Sequence, residues 1–320
     1  MYDKQLFKTH HYDITVISVG NITLGGTGKT PLVIWLCKLL QQQNLLCAVL
    51  TRGYKTQGTS DESRGTRTDE PAIIAESCPQ AKVIVNPDRA ASAVEAIGKF
   101  AAKALVMDDG FQHRRLARNL DIITMDATLP FGYDKIFPAG LLREPITSLK
   151  RAHAVVLTRC DQITASKLDQ IEHKLQTINP GMIIARSVHA FVCAKTPDNI
   201  DIDTEYFNGK KTFAFCGIGN PDAFFNTLKI TGAELTGSKI YNDHHSYTQA
   251  CLSDIYTNAR QAEADIILTT QKDWTKIRHL TLAKKDIPLA YLLVEIKFLA
   301  GEDKLRSLII DTLAGKISKK

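Results

Sequence analysis

Short apolar runs alternate with longer mixed segments along the first two thirds of the chain. Ile14–Val19, Ala48–Thr51, Lys82–Val85, Ala104–Met107, Asp121–Met125 and Ala154–Thr158 are brief, branched and apolar, as strands buried on both faces should be. Pro31–Gln43, Asp88–Lys103 and Ala165–Ile178 lie between them with helical spacing. Strands separated by helices predict an α/β fold built on a doubly wound, mainly parallel sheet. The texture changes at residues 195–211, KTPDNIDIDTEYFNGKK, a polar stretch with Pro197 and Gly209 that reads as a connection or edge hairpin. Alternation then resumes with Thr212–Cys216, a helix from Pro221, Glu234–Tyr241, a helix from Thr248, Asp265–Thr270 and Ala290–Ile296. The expected organisation is a larger domain over 1–194, a connection over 195–211 and a smaller α/β domain over 212–320.

Composition narrows the class without naming a function. Of 320 residues, 44% are hydrophobic and 23% charged, which excludes collagen-like, disordered and coiled-coil chains. Forty Lys and Arg against thirty-four Asp and Glu leave a formal charge of +6, compatible with anionic small molecules, nucleic acid or an acidic membrane surface. The longest clean apolar runs, Pro31–Cys37 and Ile287–Val294, fall far below the roughly 18–20 residues needed to span a bilayer. No signal peptide is readable in MYDKQLFKTHHYDITVISVG. Seven scattered cysteines without a C-x-x-C pair read as reduced core thiols of a cytoplasmic protein.

The strongest local signal follows the first strand. Thr23-Leu24-Gly25-Gly26-Thr27-Gly28-Lys29-Thr30 leads from Ile14–Val19 into the apolar helix PLVIWL. Glycines let consecutive backbone N–H groups point inward around a β-phosphate, and the helix N-terminus adds positive potential. Lys29 would bridge the β- and γ-phosphates, and the Thr30 hydroxyl would hold Mg²⁺. The usual pattern opens with glycine where Thr23 stands. A glycine-rich turn that binds nothing is the plainer reading; strand, Gly-Gly-x-Gly-Lys-Thr and helix in this order argue for phosphate. Ala104–Met107 then runs into Asp108 and Asp109. Asp108 is the natural Mg²⁺ partner at the sheet's carboxyl edge, against the alternative of a strand-end cap.

Two other motifs point less far. Thr158-Arg159-Cys160-Asp161 keeps only the aspartate of a guanine-reading N-K-x-D. Gly217-Ile218-Gly219-Asn220-Pro221-Asp222 resembles a dinucleotide turn but has Asp222 at the third glycine position, so a tight strand-to-helix turn is the better reading. Asp243, His244 and His245 have no cysteine at zinc-ligand spacing.

Further motifs occur in order behind the loop: Thr51-Arg52-Gly53-Tyr54, Thr68-Asp69-Glu70-Pro71, Asp108-Asp109-Gly110-Phe111-Gln112-His113-Arg114-Arg115-Leu116 and Pro138-Ala139-Gly140-Leu141-Leu142-Arg143-Glu144-Pro145. Asp243-His244-His245-Ser246-Tyr247 and Thr269-Thr270-Gln271-Lys272-Asp273 come later. Together they resemble the tetraacyldisaccharide 4′-kinase family over most of residues 14–295. That family's loop carries threonine where Thr23 stands.

The resemblance implies transfer of the ATP γ-phosphate to the 4′-hydroxyl of a tetraacylated glucosamine disaccharide 1-phosphate, forming lipid IVA in lipid A biosynthesis. It implies Asp69 as the catalytic carboxylate and His244 as its paired histidine, with the neighbouring His245 as the alternative. Because His244 falls in the expected second domain, the pair would form across a cleft and closure would gate chemistry. Glu70 would support the metal site. Asp109, Gln112, His113 and Arg143 would face the substrate. Each has a bland alternative: Asp69 as a helix N-cap, the histidines as solvated polar residues, Gln112 and His113 as turn residues. Arg52, Arg114, Arg115 and Arg143 could be surface ion-pair partners. ATP and Mg²⁺ are the expected cofactors and an acylated disaccharide the expected partner, with no nucleic acid and no obligate protein partner. A second reading is a P-loop NTPase serving as a regulatory or maturation switch. Members of the family usually begin with an apolar helical anchor, whereas about a dozen largely polar residues precede the first strand here. Contact with the inner membrane is therefore expected to be peripheral, on its cytoplasmic face.

Overall fold

A computed structural model describes residues 9–53, 69–243, 245–281 and 286–316. The chain divides into two compact units. One holds the described residues through His189 together with those from Ile296 onward; the other is Ala190–Glu295.

The first unit is the expected doubly wound sheet. Its strands are β1 (Thr15–Gly20), β2 (Cys47–Thr51), β3 (Lys82–Val85), β4 (Ala104–Asp108), β5 (Leu120–Asp126), β6 (Ala154–Thr158) and the start of β7 (Ile183–Lys195). They lie in the order β7-β6-β5-β1-β4-β2-β3, and every pairing between them is parallel. Alternate residues serve opposite faces, as the two-residue period of a strand demands. Ile17, Val49, Val106, Ile122 and Val156 share one core with Leu32, Leu36 and Leu40 of helix α1 (Lys29–Gln42) and Ile74 of α2 (Asp69–Ser77). On the opposite face, Val16, Leu50 and Leu105 pack with Ala93 and Ala96 of α3 (Arg89–Phe100). Ile123, Val155 and Leu157 pack there with Leu168, Ile171 and Leu175 of α4 (Ala165–Ile178).

The second unit contains β8 (Asp201–Ile202), β9 (Lys211–Cys216), α5 (Pro221–Ile230), β10 (Glu234–Ile240), α6 (Gln249–Gln261), β11 (Ile266–Thr270), α7 (Gln271–Ile277) and most of β12 (Leu289–Ala300). Its strand order β10-β9-β11-β12 is again parallel, and β8 pairs antiparallel with Ala194 and Lys195 of β7.

The boundaries differ from those expected at 194 and 211, and the reason is packing. The last helix, α8 (Glu302–Leu313), places Leu305 and Ile309 in the core that holds Ile17 and Leu36. Trp35 of α1 donates to Glu302 Oε1 at 3.2 Å, and its ring packs at 5.0 Å against that of Phe298, tilted by 56°. The C-terminal segment from Ile296 thus belongs with the first unit, and residues 190–295 are inserted into it. The long β7 went unrecognised because Arg186, Ser187 and His189 interrupt its apolar pattern.

All seven cysteines are free thiols, five of them buried and Cys193 and Cys251 only partly so. Cys37, Cys47 and Cys78 line a cavity of about 390 Å³. Because Cys47 opens β2, this cavity lies at the amino-terminal edge of the strands and contributes nothing to the glycine-rich loop at the other edge. If α8 completes the first core, Leu305→Ala, which empties a fully buried position, should lower stability by about 2–5 kcal/mol. Thermal melting followed by Trp35 fluorescence would register the loss.

Candidate active site

The carboxyl ends of β1, β2, β4, β5 and β6 meet where the strand order reverses about β1, the place at which open α/β sheets bind ligands. The glycine-rich loop leaves β1 there. Gly28 occupies the left-handed region at φ 84° and precedes α1, which begins at Lys29. The loop is braced from the chain around Arg143: Leu24 N–H donates to Leu141 O at 2.7 Å and Arg143 N–H to Ile22 O at 2.7 Å. Thr23 is buried and bridges to Leu142. A threonine fits where glycine is usual because this position pairs like an edge strand.

Two adjacent carboxylates close β4, and their surroundings push them apart. Asp108 is 2% exposed, and burial drives its carboxyl up to about 7, with Glu70 and Asp109 adding to the rise. Lys29 and a 3.1 Å hydrogen bond donated by Thr51 Oγ1 only partly oppose this. Asp109 adopts φ 52° and turns toward cations instead. Arg143 Nη1 donates to its two oxygens at 3.0 and 2.9 Å, and Lys29 Nζ lies 3.5 Å away. Burial alone would raise Asp109, but Lys29 and Arg143 outweigh it and hold the carboxyl below its usual range.

The structure brings Lys29, Asp108, Asp109 and Arg143 together, and Gln112 joins them less directly. Its Nε2 donates to Asn21 O at 2.9 Å and Glu144 Oε1 at 2.8 Å. Glu144 accepts two hydrogen bonds from Arg151, which covers the Phe111 ring. His113 keeps different company. Burial, with Arg89, Arg115 and Arg118 nearby, pulls it down to about 4 and keeps it neutral. Leu24 and Arg52 are exposed, and Thr30 is half-buried. Asp69 opens α2, but its side chain and all of His244 lie outside the described residues. Thr51, Glu144, Asp126 and Arg159 were missed as contributors. Thr51 and Glu144 stand inside motifs already quoted, which was the available signal.

The oxygen donors near Asp108 fit a magnesium ion. Asp108 Oδ1 is buried and accepts no hydrogen bond among the described residues. Glu70 and Asp109 stand close enough to raise its pKa. Thr30, Asp108 and Glu70 offer hard oxygens, and Mg²⁺ commonly takes one or two carboxylates and fills its remaining positions with phosphate and water.

In the second unit, Asp273 is fully buried and ties three motifs together. Its carboxylate accepts from Gly217 N–H at 3.0 Å, Thr270 Oγ1 at 2.7 Å and Tyr247 Oη at 3.0 Å. A Cβ on Gly217 would lie 3.0 Å from Tyr247 Oη and 3.2 Å from Asn242 O. The Gly217 turn is therefore a close approach to the 242–247 loop, which accounts for its glycine without a dinucleotide. His245 is stacked on Tyr241 at 4.5 Å, and its Nε2 sits 3.6 Å from Cys251 Sγ.

A parallel sheet with strand, glycine-rich loop and helix at its reversal point, and a paired acid on the neighbouring strand, defines a P-loop phosphotransfer protein. A family model for tetraacyldisaccharide-1-P 4′-kinase matches residues 1–314. The tetraacyldisaccharide 4′-kinase of Halothermothrix orenii is 36% identical over 298 residues, covering 86% of this chain and 77% of that one. The Chlorobaculum tepidum enzyme is 34% identical over 334 residues, covering 98% and 92%. The solved structure of LpxK from Aquifex aeolicus in complex with ATP superimposes with a TM-score of 0.74 at 28% identity, covering 98% of this chain and 92% of that one. The chain belongs to the tetraacyldisaccharide 4′-kinase family. A kinase family does not favour the alternative of a regulatory switch.

The pKa of Asp108 carries a stability consequence. A carboxyl raised to about 7 when folded, against about 3.9 unfolded, binds more protons in the native state. Its penalty therefore grows as pH rises from about 4 to 7 and is full above 7. Without nucleotide or metal, Asp108→Asn should melt at a higher temperature than wild type at pH 8, and the difference should vanish toward pH 4.

Proposed function

We propose that this chain transfers the γ-phosphate of ATP to the 4′-hydroxyl of a tetraacyldisaccharide 1-phosphate, forming lipid IVA in lipid A biosynthesis, with the site residues acting as follows. The observation that carries the reading is the convergence of Lys29 and Arg143 on Asp109, beside the glycine-rich loop and the buried Asp108. Backbone N–H groups of Gly25 to Thr30 cradle the phosphates. Lys29 exchanges its 3.5 Å contact with Asp109 for the β- and γ-oxygens. Thr30, Asp108 and Glu70 would hold Mg²⁺, which when bound supplies charge neutralisation for the triphosphate. Asp109, Gln112 and Arg143 face the acceptor. Asp109 holds the Arg143 fork in place, so a guanidinium stands ready for an anionic sugar lipid.

The attacking hydroxyl must lose a proton, and Asp69 is the proposed acceptor, paired with His244. Support comes from sequence position: both residues stand in motifs that resemble the family's, and α2 begins at Asp69. His245 is engaged by Tyr241, Tyr247 and Cys251, which supports assigning the pairing role to His244. Lys29→Ala should abolish transfer of labelled phosphate to tetraacyldisaccharide 1-phosphate in detergent micelles. Asp69→Ala should lower the rate by about 10²–10⁴-fold, the usual worth of a positioned base, while ATP binding persists. Transfer at wild-type rate by Asp69→Ala would reject the base assignment.

No helix among the described residues is long and apolar enough to cross a membrane. Peripheral contact on the cytoplasmic face, where ATP is available, is supported by the segment Tyr133–Ala139, exposed throughout. Tyr133, Ile136 and Phe137 are 66%, 49% and 61% exposed, although the segment's backbone is tied to Leu142, whose N–H donates to Lys135 O at 3.0 Å and whose carbonyl accepts from Phe137 N–H at 2.8 Å. Large apolar groups held outward on a fixed loop suit insertion among lipid headgroups. Replacing Ile136 and Phe137 by serine should reduce sedimentation with phosphatidylglycerol vesicles and leave ATP binding unchanged.

A further inference from the structure

A phosphate loop binds through N–H groups turned inward, which requires its carbonyls to be turned outward and satisfied there. Three carbonyls around this loop are held by side chains. Thr124 Oγ1 donates to Gly20 O at 3.2 Å, Thr158 Oγ1 to Thr27 O at 3.1 Å, and Arg159 Nη2 to Gly26 O at 2.9 Å. Thr27 and Thr124 also share a hydroxyl hydrogen bond of 2.8 Å. Every donor comes from the carboxyl end of β5 or β6.

Arg159 stands out among them. It is 8% exposed, and its backbone sits at φ 57°, ψ 36°, a region that residues other than glycine seldom adopt and that clusters at functional sites. Its guanidinium also forms an ion pair with Asp126, the last residue of β5. A planar fork can serve a carbonyl and a carboxylate at once in fixed geometry, which an ammonium cannot. On another side of the loop, a Cβ at Gly28 would come within 2.6 Å of His189 Nε2. Burial, with Arg159 close by, pulls His189 down to about 4. The loop is thus backed by a neutral ring at Gly28 and gripped by a paired cation at Gly26. The motif at Thr158 to Asp161, where a guanine-reading element would lie, is committed to the phosphate loop instead.

We propose that Arg159 is a positioning residue for nucleotide binding: paired with Asp126, it pins the Gly26 carbonyl outward and presets the anion-binding face of the loop. The proposal rests on the reading of residues 23–30 as the nucleotide loop. Without the grip, the Gly26 peptide is free to rotate and ATP must order it on binding, so affinity falls.

The test uses the full chain, with Mg·ATP binding by isothermal titration calorimetry and KM and kcat from the transfer assay. Arg159→Ala should raise the Kd and KM for ATP about ten- to hundredfold, as expected for loss of a charge-assisted hydrogen bond, and KM should change more than kcat. Arg159→Lys should recover only part of this. Asp126→Asn keeps the shape but not the ion pair; it should weaken ATP in the same direction, and it serves as the test should Arg159→Ala fail to fold. A lower melting temperature with wild-type ATP Kd in the folded variants would overturn the proposal and leave Arg159 a strut of the fold. ATP binding by Lys29→Ala at wild-type affinity would instead overturn the nucleotide-loop reading beneath it.

Discussion

The first unit depends on β1 being paired on both sides by parallel strands. With β4 on one flank and β5 on the other, the glycine-rich loop emerges between Asp108 and Thr124 and can emerge nowhere else. The requirement is steric as well as hydrogen-bonded. A Cβ on Gly20, where β1 ends, would lie 2.6 Å from Phe111 Cβ, so the turn after β4 closes directly over the end of β1. Asp109, Gln112 and the loop are brought within reach of one another by that contact. Helices on both faces then protect the backbone of strands that have no solvent-facing side.

Charge placement follows from this crowding. Two neighbouring carboxylates at one strand end cannot both ionise comfortably without countercharge. Here they are separated by conformation: the left-handed backbone at Asp109 swings it to Lys29 and Arg143, while Asp108 stays beneath with Thr51. The same strand end therefore presents one carboxylate held by two cations and one whose Oδ1 accepts no hydrogen bond among the described residues. That asymmetry suits a site in which one carboxylate orders side chains and the other awaits a cation.

Much of this was legible in the residues, and the exceptions have physical causes. Short apolar runs predicted Lys82–Val85 and Ala154–Thr158 with the bounds observed; Ala154–Thr158 is buried throughout as a central parallel strand should be, whereas Lys82–Val85 lies at the sheet edge with only Ile84 buried. The loop and Asp108 were readable because phosphate chemistry restricts residue types at fixed spacing, whereas Asp109 and Arg143 were singled out only through the family resemblance. β7 was not, since its polar residues reflect a strand passing between two units. The membership of α8 in the first core was equally hidden: amphipathic spacing shows that a helix has an apolar face but not which sheet it covers. Arg159 escaped because a cation gripping a backbone carbonyl leaves no pattern in sequence. The glycines of the Gly217 turn showed the opposite failure. They resembled a nucleotide fingerprint, yet their smallness answers to Tyr247 and Asn242 pressing on the turn.

The return of α8 to the first core has a consequence for how the molecule is made. The ribosome delivers residues 15–189 first, with the strands of the proposed nucleotide site all present, but the apolar face that receives Leu305 and Ile309 stays uncovered while the whole insert is synthesised. Closure waits for a helix more than a hundred residues further on, a long-range contact that is slow to form because of its loop-closure entropy. The nascent chain thus carries an exposed greasy strip while roughly a third of it is still being made, the kind of surface that chaperones recognise and that aggregates when crowded. A chain cut short between His189 and α8 would contain every phosphate-loop residue and still lack a finished core. Completion of the first unit's core is tied to α8.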